Sequence, residues 1–146
     1  MRIPIPIPIP LLFIIVFIAL DFSVESIHLT DEVEVQVTNN LGPNAPELVV
    51  RCQSKDDDLG KRPLPYQGNY SWKFHPIPFK TLYFCHFWWS GKEQAFEVYH
   101  ITKLECVNRT FHTDVCRWEV RPDGFYFSTN VFATYDHDWG KKYDWK

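Results

Sequence analysis

The chain has 146 residues, enough for one domain with one modest core. Its 15 lysines and arginines nearly balance 18 aspartates and glutamates, a formal charge of -3, which excludes the basic stripe of a nucleic-acid binder and the acidic tail of a solvating segment. Aromatic residues make up 17% of the chain, and such bulky side chains favour pleated surfaces, so a β-rich fold is expected.

Residues 1–26 have the layout of a secretory signal peptide. Arg2 gives a cationic start, an alternating Ile-Pro repeat follows, and Leu11 to Leu20 is an uncharged apolar run. Val24 and Ser26 suit the positions before a cleavage site, which puts the mature N-terminus at Ile27. The apolar run is half of the ~20 residues a membrane span requires, so no stable membrane insertion is expected. Residues 27–146 then form a single secreted, extracellular domain.

Short alternating segments fill that domain. VEVQV, Val33 to Val37, sets its valines on one face and Glu34 and Gln36 on the other. NNLGPNAP is a loop by its Asn, Gly and Pro content. ELVVRCQS reads as a second strand with Leu48, Val50 and Cys52 on one face. In CQSKDDDLG, Asp56, Asp57 and Asp58 are contiguous, whereas a calcium loop alternates its aspartates and ends on a glutamate. Glycosidase carboxylates stand apart across a cleft, which neighbours in one turn do not. The stretch is therefore read as a structured acidic turn, with carboxylates bonding nearby amides and Gly60 at positive φ; a receptor-facing acidic patch is the second reading.

YSWKF places Tyr70, Trp72 and Phe74 together. TLYFCHFWW, Thr81 to Trp89, is apolar on both faces, the pattern of a central strand. AFEVYHI and CRWEV alternate again, and a Pro-Asp-Gly turn precedes a last strand starting at Phe125. The stretch DHDWGKKYDWK, residues 136–146, carries no shared motif and reads as a mobile tail. No segment has a helical period. Turn signals every ~8–12 residues describe an all-β fold, a small antiparallel β-sandwich.

Export sets the reading of Cys52, Cys85, Cys106 and Cys116 as two disulfides, since paired short zinc spacings are lacking. Of three connectivities, the short separation favours Cys106 with Cys116, leaving Cys52 with Cys85. Asn69-Tyr70-Ser71 and Asn108-Arg109-Thr110 are glycosylation acceptor triplets. His86, in FCHFWW, shares a strand face with Leu82, Phe84 and Trp88 and reads as a packed or interface histidine rather than a proton carrier. His100 is placed likewise with Phe96 and Val98. Asp136, His137 and Asp138 come nearest to a metal set, but no metal, cofactor or catalytic residue is expected.

The order of VEVQVTNNL, LVVRCQSKDDDLG, YSWKF, FKTLYFCHFWW, FEVYH and CRWEVRPDGFYF resembles the plant self-incompatibility protein family, also called S-protein homologues. The resemblance covers Val33 to Phe127; the HPIPFK turn and the C-terminal tail depart from it. It implies a small secreted β-sandwich stapled by two disulfides that acts as an extracellular ligand, the founding members being pistil proteins that pollen recognises. The expected partner is a cell-surface receptor protein, with no nucleic acid bound, no enzymatic activity and a monomeric state. Recognition would fall to loops: Asn39 to Glu47, Ser90 to Gln94 and Val107 to Asp114, with Arg109, His112 and Asp114 as contact candidates. The alternative is a carbohydrate-binding module or small hydrolase using Trp88, Trp89, Trp139 and Trp145 as stacking surfaces.

Overall fold

The computed structural model describes Pro4, residues 32–103, 105–108 and 113–146. The segment expected to be a signal peptide, apart from Pro4, its expected cleavage point, Arg109 and His112 lie outside the described residues. The described chain is built from strands: β1 Val33–Asn39, β2 Leu48–Gln53, β3 Asp58–Leu64, β4 Asn69–Phe74, β5 Leu82–Trp89, β6 Lys92–His100, β7 Val107–Asn108, β8 Thr113–Arg121, β9 Gly124–Ser128 and β10 Gly140–Tyr143. Two short 3-10 turns, Ile101–Lys103 and Asp136–Asp138, are its helical elements.

Two sheets pack face to face. One has the order β10-β9-β8-β1-β4, with β7 pairing β8; the other is β3-β2-β5-β6. All described pairings are antiparallel except β1 with β8, which run parallel from Glu34 opposite Val115 to Asn39 opposite Val120. The sandwich is therefore all-β as the alternation implies, with one parallel pair at the middle of the larger sheet. That pair joins segments far apart in the chain, so no local turn signal announces it.

Alternation decides which side chains meet. Val33, Val35 and Val37 of β1 face Leu48, Val50 and Cys52 of β2 and Cys85 and Phe87 of β5 across the core, all of them buried. Aromatic rings fill the space between: Phe87 meets Phe125 at 4.9 Å, and Phe96 meets Trp118 at 4.8 Å. Cys52 stands opposite Cys85 in the β2–β5 register and the two are bridged; Cys106 is bridged to Cys116 below the β7–β8 hairpin. Both expected bridges are present.

β5 is paired on both sides, as its two apolar faces suggest, but only Tyr83, Cys85 and Phe87 are inside; Leu82, Phe84, His86 and Trp88 line the half-covered outer face. A bulge at Val98 in β6 changes the phase of the strand. Tyr99 turns inward and His100 outward opposite Leu82, so His100 does not share the face of Phe96 and Val98. The Val98 carbonyl accepts a hydrogen bond from Trp118 Nε1 at 3.0 Å.

Two strands stand where loop and tail are read from the sequence. β3, DLGKRPL, is an edge strand in which only Leu64 is buried, and its Pro63 has no N–H to lend to a neighbour. β10 is the opposite edge of the larger sheet, pairing Gly140 with Phe127 and Tyr143 with Phe125. Beyond it Trp145 packs on Phe125 and Trp89 at 4.5 and 5.4 Å, and Lys146 exchanges two backbone hydrogen bonds of 3.0 Å with Glu93. The final residues thus lie against both sheets instead of standing apart as a tail.

Candidate recognition surface

The acidic stretch folds as the β2–β3 turn. Ser54 N–H donates to the Asp57 carbonyl at 2.7 Å, and Asp57 N–H to Ser54 Oγ at 3.1 Å. Asp58 accepts from Gly60 N–H at 3.0 Å and pairs with Arg51 at 2.5 Å. The hydrogen bond from Arg51, then that from Gly60, holds the Asp58 carboxyl below the usual carboxylate range. Gly60, at φ +86°, sits in the bulge that puts two residues opposite Cys52. Asp58 is therefore committed within the fold, while Asp56 and Asp57 point to solvent.

The other groups with chemical potential are engaged too. His86 Nε2 donates to Glu93 at 2.9 Å and its ring stacks on Trp88 at 3.9 Å, with the Lys61 ammonium 4.3 Å from the same indole. Thr102 donates its N–H and hydroxyl to His100 Nδ1. Asp136, His137 and Asp138 do not gather into one three-ligand group, although His137 Nε2 lies 3.6 Å from Asp138 Oδ1. Asp136 pairs with Arg121 at 3.2 Å, His137 stacks on Tyr135, and Asp138 accepts the amides of Thr134 and Tyr135. Those amide bonds lower the Asp138 carboxyl.

These contacts fasten residues 129–139 across the outer face of the larger sheet, leaving a cleft of about 250 Å³ beside Arg117, Glu119 and Trp139. Arg121 reaches Glu119 and Asp136 and lies over Tyr126, and Arg117 lies 5.1 Å from the Trp139 ring. Asn40 and Glu119 hydrogen-bond at the cleft floor. The four tryptophans suggested as sugar platforms do not share one surface: Trp88 and Trp89 line a groove of the smaller sheet, Trp145 packs on Trp89, and Trp139 lies beneath arginines on the larger sheet.

The strand directions divide the loops between two ends. The turns at 40–47, 65–68, 90–91 and 122–123 and the C-terminus share an upper end; those at 54–57 and 75–81 and the β7–β8 hairpin share the lower one. Two candidate loops are thus at the upper end and Val107–Asp114 is at the other. Both upper loops carry structural residues. Asn39 is buried, donating to the Leu64 carbonyl and accepting from Leu41 N–H, while Gln94 donates to the Asp144 carbonyl at 2.8 Å. Asp114 stands in β8 opposite Val107, and Asn108 lies in β7 opposite Thr113. Asn69 opens β4, an edge strand, and is exposed.

The chain matches the sequence profile of the plant self-incompatibility protein S1 family over residues 34–145. It belongs to that family. Among Arabidopsis thaliana proteins it is similar to S-protein homolog 5, 37% identical over 91 residues that make up 62% of this chain and 66% of that one. S-protein homolog 3 is 33% identical over 76% of this chain and 71% of its own length, and S-protein homolog 2 is 35% identical over 70% and 63%. The chain therefore spans about two-thirds of the length of these relatives. The family match runs from Glu34 in β1 to Trp145, so it takes in β10 and the docked C-terminus.

At the lower end of this S-protein fold lie exposed apolar side chains, of which the sequence reading selected Val107, the start of a candidate loop, but not Ile77 or Phe79. Ile77 is 56% exposed and Phe79 91%, and Val107 is exposed in the neighbouring hairpin. The available signal was Ile-Pro-Phe-Lys in HPIPFK. Proline suits the second position of a tight turn, and in the type II form the third residue is left-handed; here that residue is Phe79, at φ +61°.

Proposed function

We propose that this S-protein family member is a secreted, non-enzymatic recognition ligand that binds a cell-surface protein through loops at the end of its sandwich. The supporting observation is a division of labour among side chains. Several described groups suited to proton transfer or ligation are engaged by the fold's own surface contacts: His86 by Glu93, Asp58 by Arg51, Asp136 by Arg121 and Asp138 by backbone amides. Among the exposed large hydrophobic side chains, Tyr66, Ile77, Phe79, Phe132 and Tyr135 sit in turns and loops, which is how a small rigid scaffold presents contacts to another protein. Residues 1–26, with their signal-peptide layout, support export, and the family's name makes pollen–pistil recognition the first setting to examine.

The half-buried Trp88, beside an open groove formed with Trp89, supports a carbohydrate-binding alternative. One experiment separates the two. The mature protein, secreted from plant cells and fluorescently labelled, is titrated onto pollen and onto leaf protoplasts, with and without protease pretreatment, and onto a glycan array. Saturable binding that protease abolishes, with no array signal, is the expected result. Binding that survives protease and is competed by a sugar overturns it.

A further inference from the structure

We propose that the Ile77–Lys80 turn is a prebuilt anchor: the Phe79 ring seats in an apolar pocket of a partner protein, and Lys80 meets acidic groups at that pocket's rim. The proposal rests on the recognition reading above. Lys80 N–H closes the turn on the Ile77 carbonyl at 3.1 Å, Thr81 N–H reaches the same carbonyl at 3.2 Å, and Ile77 N–H donates to Thr81 Oγ1 at 2.7 Å. Pro78 fixes φ at the second position, leaving Phe79 at the third with φ +61°. That slot belongs to glycine or asparagine; a bulky L-residue there is strained.

The turn's hydrogen bonds hold the backbone in place, but the ring, 91% exposed, makes almost no contact inside the fold. A residue held in an unfavourable conformation with its apolar side chain in water destabilises the free protein and lowers its solubility. Its benefit must lie outside the chain. A rigid aromatic on a convex turn suits a concave pocket, since two χ angles are all it must immobilise on binding. A bilayer, by contrast, accepts apolar groups in any backbone conformation and gains nothing from a fixed turn, and the chain's formal charge of -3 disfavours anionic lipid. Lys73 and His75 both reach Glu32, which leaves exposed Lys80 as the turn's own cation and gives the partner's rim its sign.

The test uses Phe79→Gly, which removes the ring, relieves the left-handed strain and, unlike asparagine before Lys80-Thr81, creates no glycosylation acceptor. Its melting temperature is expected to equal or exceed that of the wild type, while protease-sensitive binding of the labelled protein to protoplasts weakens about thirtyfold. Pro78→Ala keeps the ring but loosens the turn, and should weaken binding about two- to fivefold. Unchanged cell binding by Phe79→Gly overturns the proposal and leaves the recognition reading standing, whereas absence of saturable binding by the wild type overturns both. Sedimentation with phosphatidylserine–phosphatidylcholine vesicles that is lost in Phe79→Gly would make the ring a membrane anchor instead. Concentration-dependent self-association lost in the same variant would make a second copy the occupant. Either result refutes a distinct partner pocket.

Discussion

Replacing Trp145 with alanine tests whether the C-terminus is part of the sandwich. The indole touches Phe125, which is fully buried, and Trp89, and its Nε1 donates to the Arg121 carbonyl at 3.0 Å. Complete burial of a tryptophan removes about 150–250 Å² from water, or ~4–6 kcal/mol at ~25 cal/mol per Å². Trp145 remains partly exposed, so about half of that, ~2–3 kcal/mol, is the share to lose. The hydrogen bond adds ~1 kcal/mol, giving ~3–4 kcal/mol in all. In a domain of this size each kcal/mol moves the melting temperature by ~4 °C, so a fall of about 12–16 °C is expected. Near-UV circular dichroism on disulfide-intact protein measures it. Trp145→Phe, which keeps a ring but not the donor, should fall in between, and amide exchange at residues 140–143 should accelerate in the alanine variant. A loss smaller than ~4 °C would show that these residues contribute nothing to the core, and the docking described here would be wrong.

Gly124, at φ +143°, has no room for a Cβ beside the Tyr143 carbonyl, so Gly124→Ala should destabilise by ~1–3 kcal/mol and expose β10, read by melting and by amide exchange at residues 140–143. The Cys52–Cys85 bridge closes a separation of 33 residues against 10 for Cys106–Cys116; by loop-closure entropy its double alanine variant should lose ~4 kcal/mol against ~3 for the other pair, compared by denaturant titration. Burial, then the charge of Asp114, pushes the Tyr99 phenol up to about 12. A neutral acid raised in the folded state contributes stability that is intact below the unfolded value near ~10 and lost as pH climbs through the folded one; ultraviolet titration should show a late-ionising tyrosine that Tyr99→Phe removes. Asp58 is shifted the other way, so its contribution is present above pH ~4 and fades as acid protonates the folded carboxyl; Asp58→Asn should flatten the fall in melting temperature between pH ~4 and ~2.

Strands whose inner face is buried were legible because burial writes itself as alternation: β1, β2 and β4 can be traced from Val33, Leu48 and Tyr70 onward. β3 and β10 were not, since an edge strand packs on one side only and tolerates the Pro, Gly and Lys that mimic a loop. The His100 placement failed for a different cause. A bulge at Val98 inserts one residue, and no alternating pattern survives that without a change of phase. The short disulfide was found because it follows from local spacing; of the candidate contacts, Asp114 falls among the described residues, in strand β8 opposite Val107. Phe79 was passed over because hydrophobic character reads as core unless the turn geometry around it is considered first.

The two ends of the sandwich are held in different ways, and this bears on where sequence change is tolerated. At the upper end the loops are tied from one sheet to the other. Asn39 bonds Leu64, Gln94 bonds Asp144, Lys146 pairs with Glu93 and Trp145 lies against Phe125. A substitution there is transmitted to the core and registers as lost stability. At the lower end the turns are closed mainly by their own bonds, Ser54 with Asp57, Ile77 with Thr81, and the β7–β8 hairpin by the Cys106–Cys116 bridge, with Ile101 N–H on the Thr81 carbonyl and His75 on Glu32 as links outward. Such turns can exchange their outward side chains without disturbing their neighbours, because their hydrogen bonds run through the backbone and small hydroxyls. A recognition surface needs that independence, and Phe79 occupies the turn that has it at the greatest exposure.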